Sequence, residues 1–180
     1  MSKEPHFMHK IVRESVQNVL PKNCELKMDK ACGGDQRIPL FYVAEKSRKT
    51  EYCNVDLLIL KGHKIKVIIE IEESDVKPTQ ICGKFLTSAL SRYYIHESQN
   101  NEPIEMDESV SFIQIVDTSK LVRDKTSKPE QWKALEKSIN EIMPLKNSKI
   151  RTYKILFGNE KDFVNTLKTE LTSLIWEACK

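Results

Sequence analysis

Three acids stand at the ends of two very apolar stretches. Asp56 lies in Asn54-Val55-Asp56-Leu57-Leu58-Ile59-Leu60, and Glu70 and Glu72 close Val67-Ile68-Ile69-Glu70-Ile71-Glu72. Ionised carboxylates are costly to bring together and to desolvate. An apolar strand therefore keeps two of them on one face when something positive, usually a metal ion, sits among them. An oxygen-rich set suits a hard divalent cation such as Mg²⁺, with Mn²⁺ as a substitute. Mg²⁺ takes one or two protein carboxylates and fills its other positions with water and phosphate oxygens. Held in this way, the ion lowers the pKa of a bound water, orients it for in-line attack and stabilises a phosphorane-like transition state. Such chemistry needs no histidine base.

The elements that must position these acids follow from periodicity. Cys53–Leu60 and Lys64–Glu72 read as strands rich in Val, Ile and Leu, joined at Lys61-Gly62-His63 as a tight hairpin. Side chains alternate faces along a strand, so Glu70 and Glu72 share one face, and Asp56 near the middle of the first strand faces them across the hairpin. Glu73 then faces the other way and is expected to cap the coming helix, while Asp75 reads as a turn residue. Pro78 suits a first helical position, and Ile81, Cys82, Phe85, Leu86, Ala89, Leu90 and Tyr93 form the expected buried face of that helix. Opposite them, Gln80, Lys84, Thr87 and Ser91 recur at helical spacing, which brings a cation and an amide toward a phosphate or its attacking water.

The remaining chain predicts one mixed α/β domain over residues 1–180. An opening helix carries Phe7, Met8, Ile11, Val12, Val16, Val19 and Leu20 on one stripe and stops at Pro21, with Glu14 on its polar side. Residues 22–37 read as irregular, Ile38–Ala44 as a short strand and Glu45–Thr50 as a charged turn. Val110–Val116 is a strand expected to run parallel to the Glu70 strand, because a helix separates the two. Glu130–Met143 reads as helix, Ile150–Phe157 as strand and Glu160–Cys179 as a closing helix, with Trp132 and Trp176 assigned to the core.

An Asp on one strand, an acid-x-acid at the end of the next and then a helix resembles the PD-(D/E)XK nuclease superfamily, which includes many restriction endonucleases, repair nucleases and junction resolvases. Its core is a mixed sheet flanked by helices, in the order helix, three strands, helix, strand, and residues 6–116 read in that order. The resemblance implies a restriction-endonuclease-like fold and a Mg²⁺-dependent deoxyribonuclease, with an endonuclease as the preferred subtype. It makes Asp56 and Glu70 metal-binding acids, with the Ile71 carbonyl as a further ligand and Glu72 beside them. Two positions depart from the pattern: Val55 stands where the motif name has Pro, and Glu72 stands where it has Lys. Some similar nucleases place Glu at that second position, and in others the lysine has moved to the following helix, where Lys84 is the candidate. The resemblance also implies DNA as partner and allows a homodimer, in which two sites face two strands. The alternative is a catalytically inactive nuclease-fold module that binds nucleic acid or protein, and a third reading is a nuclease for RNA or branched DNA.

Composition narrows the remaining classes. The 180 residues are 39% hydrophobic and 31% charged, with a net charge of +3, as expected of a globular domain. No apolar run approaches the roughly 18 residues of a membrane span, and residues 1–6 lack the pattern of a secretory signal, so a cytoplasmic location without membrane contact is expected. Five widely spaced cysteines, Cys24, Cys32, Cys53, Cys82 and Cys179, predict neither a disulfide framework nor a zinc site. Of these, Cys53 and Cys82 read as core. His6, His9, His63 and His96 lack a spaced partner, so no histidine metal site is expected. From Thr118 to Lys168 there are twelve Lys or Arg against six acids. That excess suits a polyanionic partner. Lys46, Arg48 and Lys49 beside the acids, and a second basic loop of Lys120, Arg123, Lys125 and Lys128, are candidate phosphate contacts, which supply affinity without sequence information.

Overall fold

The computed structural model describes residues 6–73, 76–121 and 127–180. Asp75, Arg123 and Lys125, named above, lie outside the described residues. The architecture is mixed α/β: an open eight-stranded mixed sheet with helices on both faces.

The first helix, α1 (Phe7–Val19), buries Met8, His9, Val12, Ser15 and Val16 against the sheet. The strand β1 (Cys24–Met28) then falls inside a stretch that reads as irregular. It follows the apolar-charged alternation Cys24-Glu25-Leu26-Lys27-Met28 and pairs antiparallel with β4 (Leu57–Lys61). Beyond β1 the chain turns back at Gly34, whose amide donates to the Asp29 carbonyl at 2.7 Å. A Cβ there would lie 2.0 Å from the Met28 carbonyl oxygen, so only glycine fits.

Next come β2 (Pro39–Phe41) and β3 (Glu51–Asn54), which form a side arm, and then β4 and β5 (Lys64–Glu72). The expected single strand Cys53–Leu60 is therefore two strands, broken at Val55-Asp56, where the chain leaves the arm and enters the central sheet. The hairpin between β4 and β5 closes through a two-residue loop, since Lys61 pairs with Lys64. Gly62 and His63 both take positive φ, as the strand-matching turn requires.

Helix α2 (Pro78–Leu90) crosses to β7 (Ile104–Asp117), which runs parallel to β5 as expected, with Glu70 opposite Gln114. Along its other edge β7 forks. Ile104 and Glu105 pair with the short β6 (Tyr93–Tyr94), and Val110–Asp117 pair in parallel with β8 (Ile150–Gly158). α3 (Lys128–Ile142) packs against β8. The chain closes with α4 (Glu160–Asp162), a π turn over Phe163–Leu167 and α5 (Lys168–Ala178).

Strand alternation splits the core in two. Leu57, Ile59, Val67, Ile69, Ile71, Ile113 and Ile115 face Met8, Val12 and Val16 of α1 and Leu171 and Ile175 of α5. Leu58, Ile68, Phe112 and Val116 face Ile81, Phe85 and Ala89 of α2 and Trp132 and Ile139 of α3. The seat of α2 is narrower than its sequence suggests. Ile81, Phe85, Ser88 and Ala89 form the buried stripe, so Leu86 and Leu90 point to solvent, Cys82 is half-buried and Tyr93 belongs to β6. Trp132 is in the core, but Trp176 on α5 is exposed because α5 docks through Leu171 and Ile175. All five cysteines are free, and Cys53 is half-buried beside Ser88.

Candidate functional site

Glu70 and Glu72 close β5 on its α2-facing side, in step with Ile68, and both are buried. Lys84, one and a half turns into α2, reaches down between them: its Nζ lies 2.8 Å from Glu70 Oε2 and 2.8 Å from Glu72 Oε1. Asp56 joins from the break between β3 and β4. Its backbone carbonyl accepts the Asp29 amide at 2.9 Å, which ties it to the β1 end. Its Oδ2 accepts the Ile71 amide at 2.6 Å. Pairing between β4 and β5 ends at Leu57 opposite Ile69, so the β5 edge beyond is open to Asp56. A strand residue directs its N–H and C=O to the same edge. The Ile71 carbonyl thus lies on the Asp56 edge too.

The Asp56 carboxylate lies close enough to Glu70 to act on its charge. Burial first, and Asp56 second, push the Glu70 carboxyl well above the usual carboxylate range, against the opposing pull of Lys84. Burial also works against the Lys84 ammonium, but Glu70, Asp56 and Glu72 overcome it and raise its pKa. Both partners therefore move up, for different reasons: burial, with Asp56 beside it, disfavours the Glu70 carboxylate, whereas the surrounding carboxylates keep the Lys84 amine charged. Glu70 Oε1 is buried without a hydrogen-bond partner, and so is Gln114 Nε2 opposite it on β7.

An unpartnered buried carboxylate oxygen, a second carboxylate beside it and a main-chain carbonyl on the same edge form an all-oxygen set with surplus negative charge, which suits Mg²⁺ or Mn²⁺. Asp56, Glu70 and Ile71 fit that role. Glu72 is likewise buried, with its Oε1 2.8 Å from Lys84 Nζ but without a hydrogen-bond partner of good geometry.

Other expected residues are placed elsewhere. Gln80 is exposed, and its Oε1 accepts the Lys77 amide at 2.8 Å, which closes the first turn of α2. Thr87 and Ser91 bond back to carbonyls of their own helix. The Lys46–Lys49 turn closes the β2–β3 arm at the end distant from Asp56, because Pro39 opposite Asn54 forms the near end. Lys46 there meets Glu97 and Asn101. Glu14 pairs with Arg13 on the α1 surface.

Two features escape sequence reasoning. Glu73 does not cap the coming helix. Its Oε1 accepts the amides of Met8 and His9, the latter at 3.2 Å, and so caps α1 across 64 residues of chain. His9 is buried between two acids, with Nδ1 3.3 Å from Glu73 Oε1 and Nε2 3.8 Å from Asp56 Oδ2. With His6, whose Nδ1 is 3.8 Å from Glu73 Oε2, it gives a histidine-rich cluster whose ligand atoms all lie within 4.8 Å. Nitrogen donors favour a softer ion than Mg²⁺. One local signal for His9 exists in the sequence, its spacing of three from Val12 on the inward stripe. Beside it a cleft of about 330 Å³ is lined by His6, Lys10, Arg13 and Lys30. Lys30 also borders a smaller hollow with Arg37 and Asp56.

Among the described residues no helix is long and apolar enough to cross a membrane. No protein-family model matches this chain, and neither the curated proteins nor the solved structures give a match.

Proposed function

We propose that this protein is a divalent-metal-dependent deoxyribonuclease of the PD-(D/E)XK type, acting as a restriction-like endonuclease. The observation that carries the reading is the buried, unpartnered Glu70 Oε1 within reach of Asp56, with Lys84 bound to the same glutamate. The order of elements adds support. α1 is followed by β1, β4 and β5 as adjacent strands, then by α2 and a parallel β7, once the β2–β3 arm is set aside as an insertion.

In this reading Asp56, Glu70 and the Ile71 carbonyl would hold Mg²⁺, which when bound would supply an acidified water and charge neutralisation at the phosphate. Asp56 is held rigid by the Ile71 amide. Lys84, charged between Glu70 and Glu72, would orient a nucleophilic water or a non-bridging phosphate oxygen, a task of fixed charge rather than proton transfer. Glu72 holds that ammonium in place. His6, Lys10, Arg13 and Lys30 line the adjoining cleft with basic groups for the DNA backbone.

The rival reading, a non-catalytic binding module with the same fold, draws on the ion pairs themselves, because Lys84 already supplies Glu70 and Glu72 with a positive charge. One experiment separates the two: plasmid, linear, single-stranded and branched DNA, each incubated with wild type and Glu70→Gln, with and without Mg²⁺. Mg²⁺-dependent cleavage by wild type alone is the expected result. No cleavage of any substrate, together with no Mg²⁺ binding, favours the rival.

A further inference from the structure

A second exposed feature lies at the far side of α2. Tyr42, just past β2, and Tyr52 of β3 stack with ring centroids 4.8 Å apart and planes 20° from parallel. Cross-strand tyrosines often pack flat to cover a sheet. Here the pair covers little and remains 40% and 43% exposed. The same rings border a hollow of about 180 Å³, completed by Leu90, half exposed at the end of α2, and by Arg92 and Lys146. An aromatic face, an apolar floor and two cations are the components with which proteins hold unpaired bases. The ring takes the base by stacking, and the cations take its phosphate.

We propose that the Tyr42–Tyr52 pair, with Leu90, Arg92 and Lys146, is a stacking platform for an unpaired nucleobase of a single nucleic-acid strand. The proposal rests on the nuclease reading for the choice of a nucleic-acid occupant, and it adds a binding place for an unpaired base of a strand beside the carboxylate site, without changing what that site cleaves. Three observations support it. The platform is built in advance of binding: the Arg92 amide donates to the Phe41 carbonyl at 2.7 Å and its carbonyl accepts the Met106 amide at 2.8 Å, which locks β6 between β2 and β7. Its charge complements a phosphate, since the two ionisable groups of the hollow besides the tyrosines are both basic. Its two supports also lead to the carboxylates. Tyr52 precedes Asp56 by four residues, at most roughly 13 Å of chain, and Lys84 precedes Leu90 by six helical residues, roughly 9 Å. At about 3.4 Å per stacked base the platform lies only a few nucleotides from the acids.

The test uses the full chain in EDTA, so that binding is measured without cleavage. Fluorescence anisotropy follows a labelled dT12, a labelled rU12 and a blunt duplex against wild type, Tyr42→Ala, Tyr52→Ala and the two Tyr→Phe variants. Both alanine variants are expected to weaken dT12 binding by about 5- to 150-fold, while the phenylalanine variants stay within about twofold and duplex affinity does not change. Comparison of rU12 with dT12 distinguishes RNA from DNA as the source of the base. A dT12 affinity unchanged by Tyr42→Ala and Tyr52→Ala overturns the proposal, and so does an equal loss on duplex. A change of oligomeric state in the alanine variants with no change in dT12 affinity also overturns it, because the patch is then a contact between copies of the chain. Should the alanine variants not fold, photocrosslinking of wild type to a bromodeoxyuridine-substituted strand gives the answer. Adducts on Tyr42 or Tyr52 are expected, and adducts confined to other residues reject the platform. Loss of Mg²⁺-dependent cleavage as a property leaves this measurement untouched, so the two readings fail separately.

Discussion

Glu70→Gln keeps the shape of the side chain and removes its charge, which makes it the sharpest probe of the carboxylate site. Burial and Asp56 raise the folded-state pKa of Glu70 above its unfolded value. Below the usual carboxylate range both states are protonated, and the variant and wild type differ little. As pH rises above about 5, the unfolded chain releases a proton that the folded chain retains, so wild-type stability declines with pH. The glutamine variant lacks that decline. In metal-free buffer it is therefore expected to melt above wild type at pH 8 and close to it at pH 4.5. Mg²⁺ reverses the order. An ion at 100 times its Kd stabilises by about 2.7 kcal/mol, which for a chain of 180 residues amounts to roughly 5–11 °C in Tm. Wild type is expected to show that shift and Glu70→Gln to lose it, together with at least about a 10²-fold drop in cleavage. Scanning fluorimetry across pH, with and without Mg²⁺, reads all of this. Parallel metal-free pH profiles for the two proteins would refute the electrostatic argument. An Mg²⁺ shift that survives in Glu70→Gln would place the ion elsewhere.

Lys84→Met should lower turnover by about 10²–10³-fold through loss of a fixed charge at the phosphate, measured as single-turnover cleavage. It should also destabilise the fold by about 1–3 kcal/mol in urea melts. That is below the usual cost of breaking a buried pair, because the Lys84 side chain is 36% exposed. Gln80→Ala removes a helix-end hydrogen bond and is expected to cost about 0.5–1 kcal/mol with turnover within twofold of wild type, and a large fall in turnover would return Gln80 to the chemistry. Glu73→Ala should cost about 1–2 kcal/mol in urea melts by uncapping α1, and an unchanged melt would remove Glu73 from that role.

The sequence by itself determined the elements whose signal is local. Val67–Ile71 and Val110–Val116 are largely apolar runs buried along their whole length, and their parallel pairing follows from the helix between them. The shared face of Glu70 and Glu72 follows from a repeat of two, and the approach of Lys84 from a repeat of 3.6 on α2. The strand β1 is missed, because residues 22–37 read as irregular, although Cys24–Met28 carries an apolar-charged alternation. What only the tertiary structure decided depends on partners far along the chain. Asp56 leaves its strand because β3 belongs to a side arm paired with β2 and β6, and no residue near Asp56 encodes that change of neighbours. Glu73 finds α1 rather than α2, and His9 faces inward between Glu73 and Asp56, because packing α1 onto the sheet brings its N-terminus to the end of β5. Gln80 closes the helix end by accepting the Lys77 amide, a bond that the spacing of Gln80 and Lys84 did not indicate. Periodicity assigns a residue to a face, whereas pairing register and helix docking select which groups meet on it.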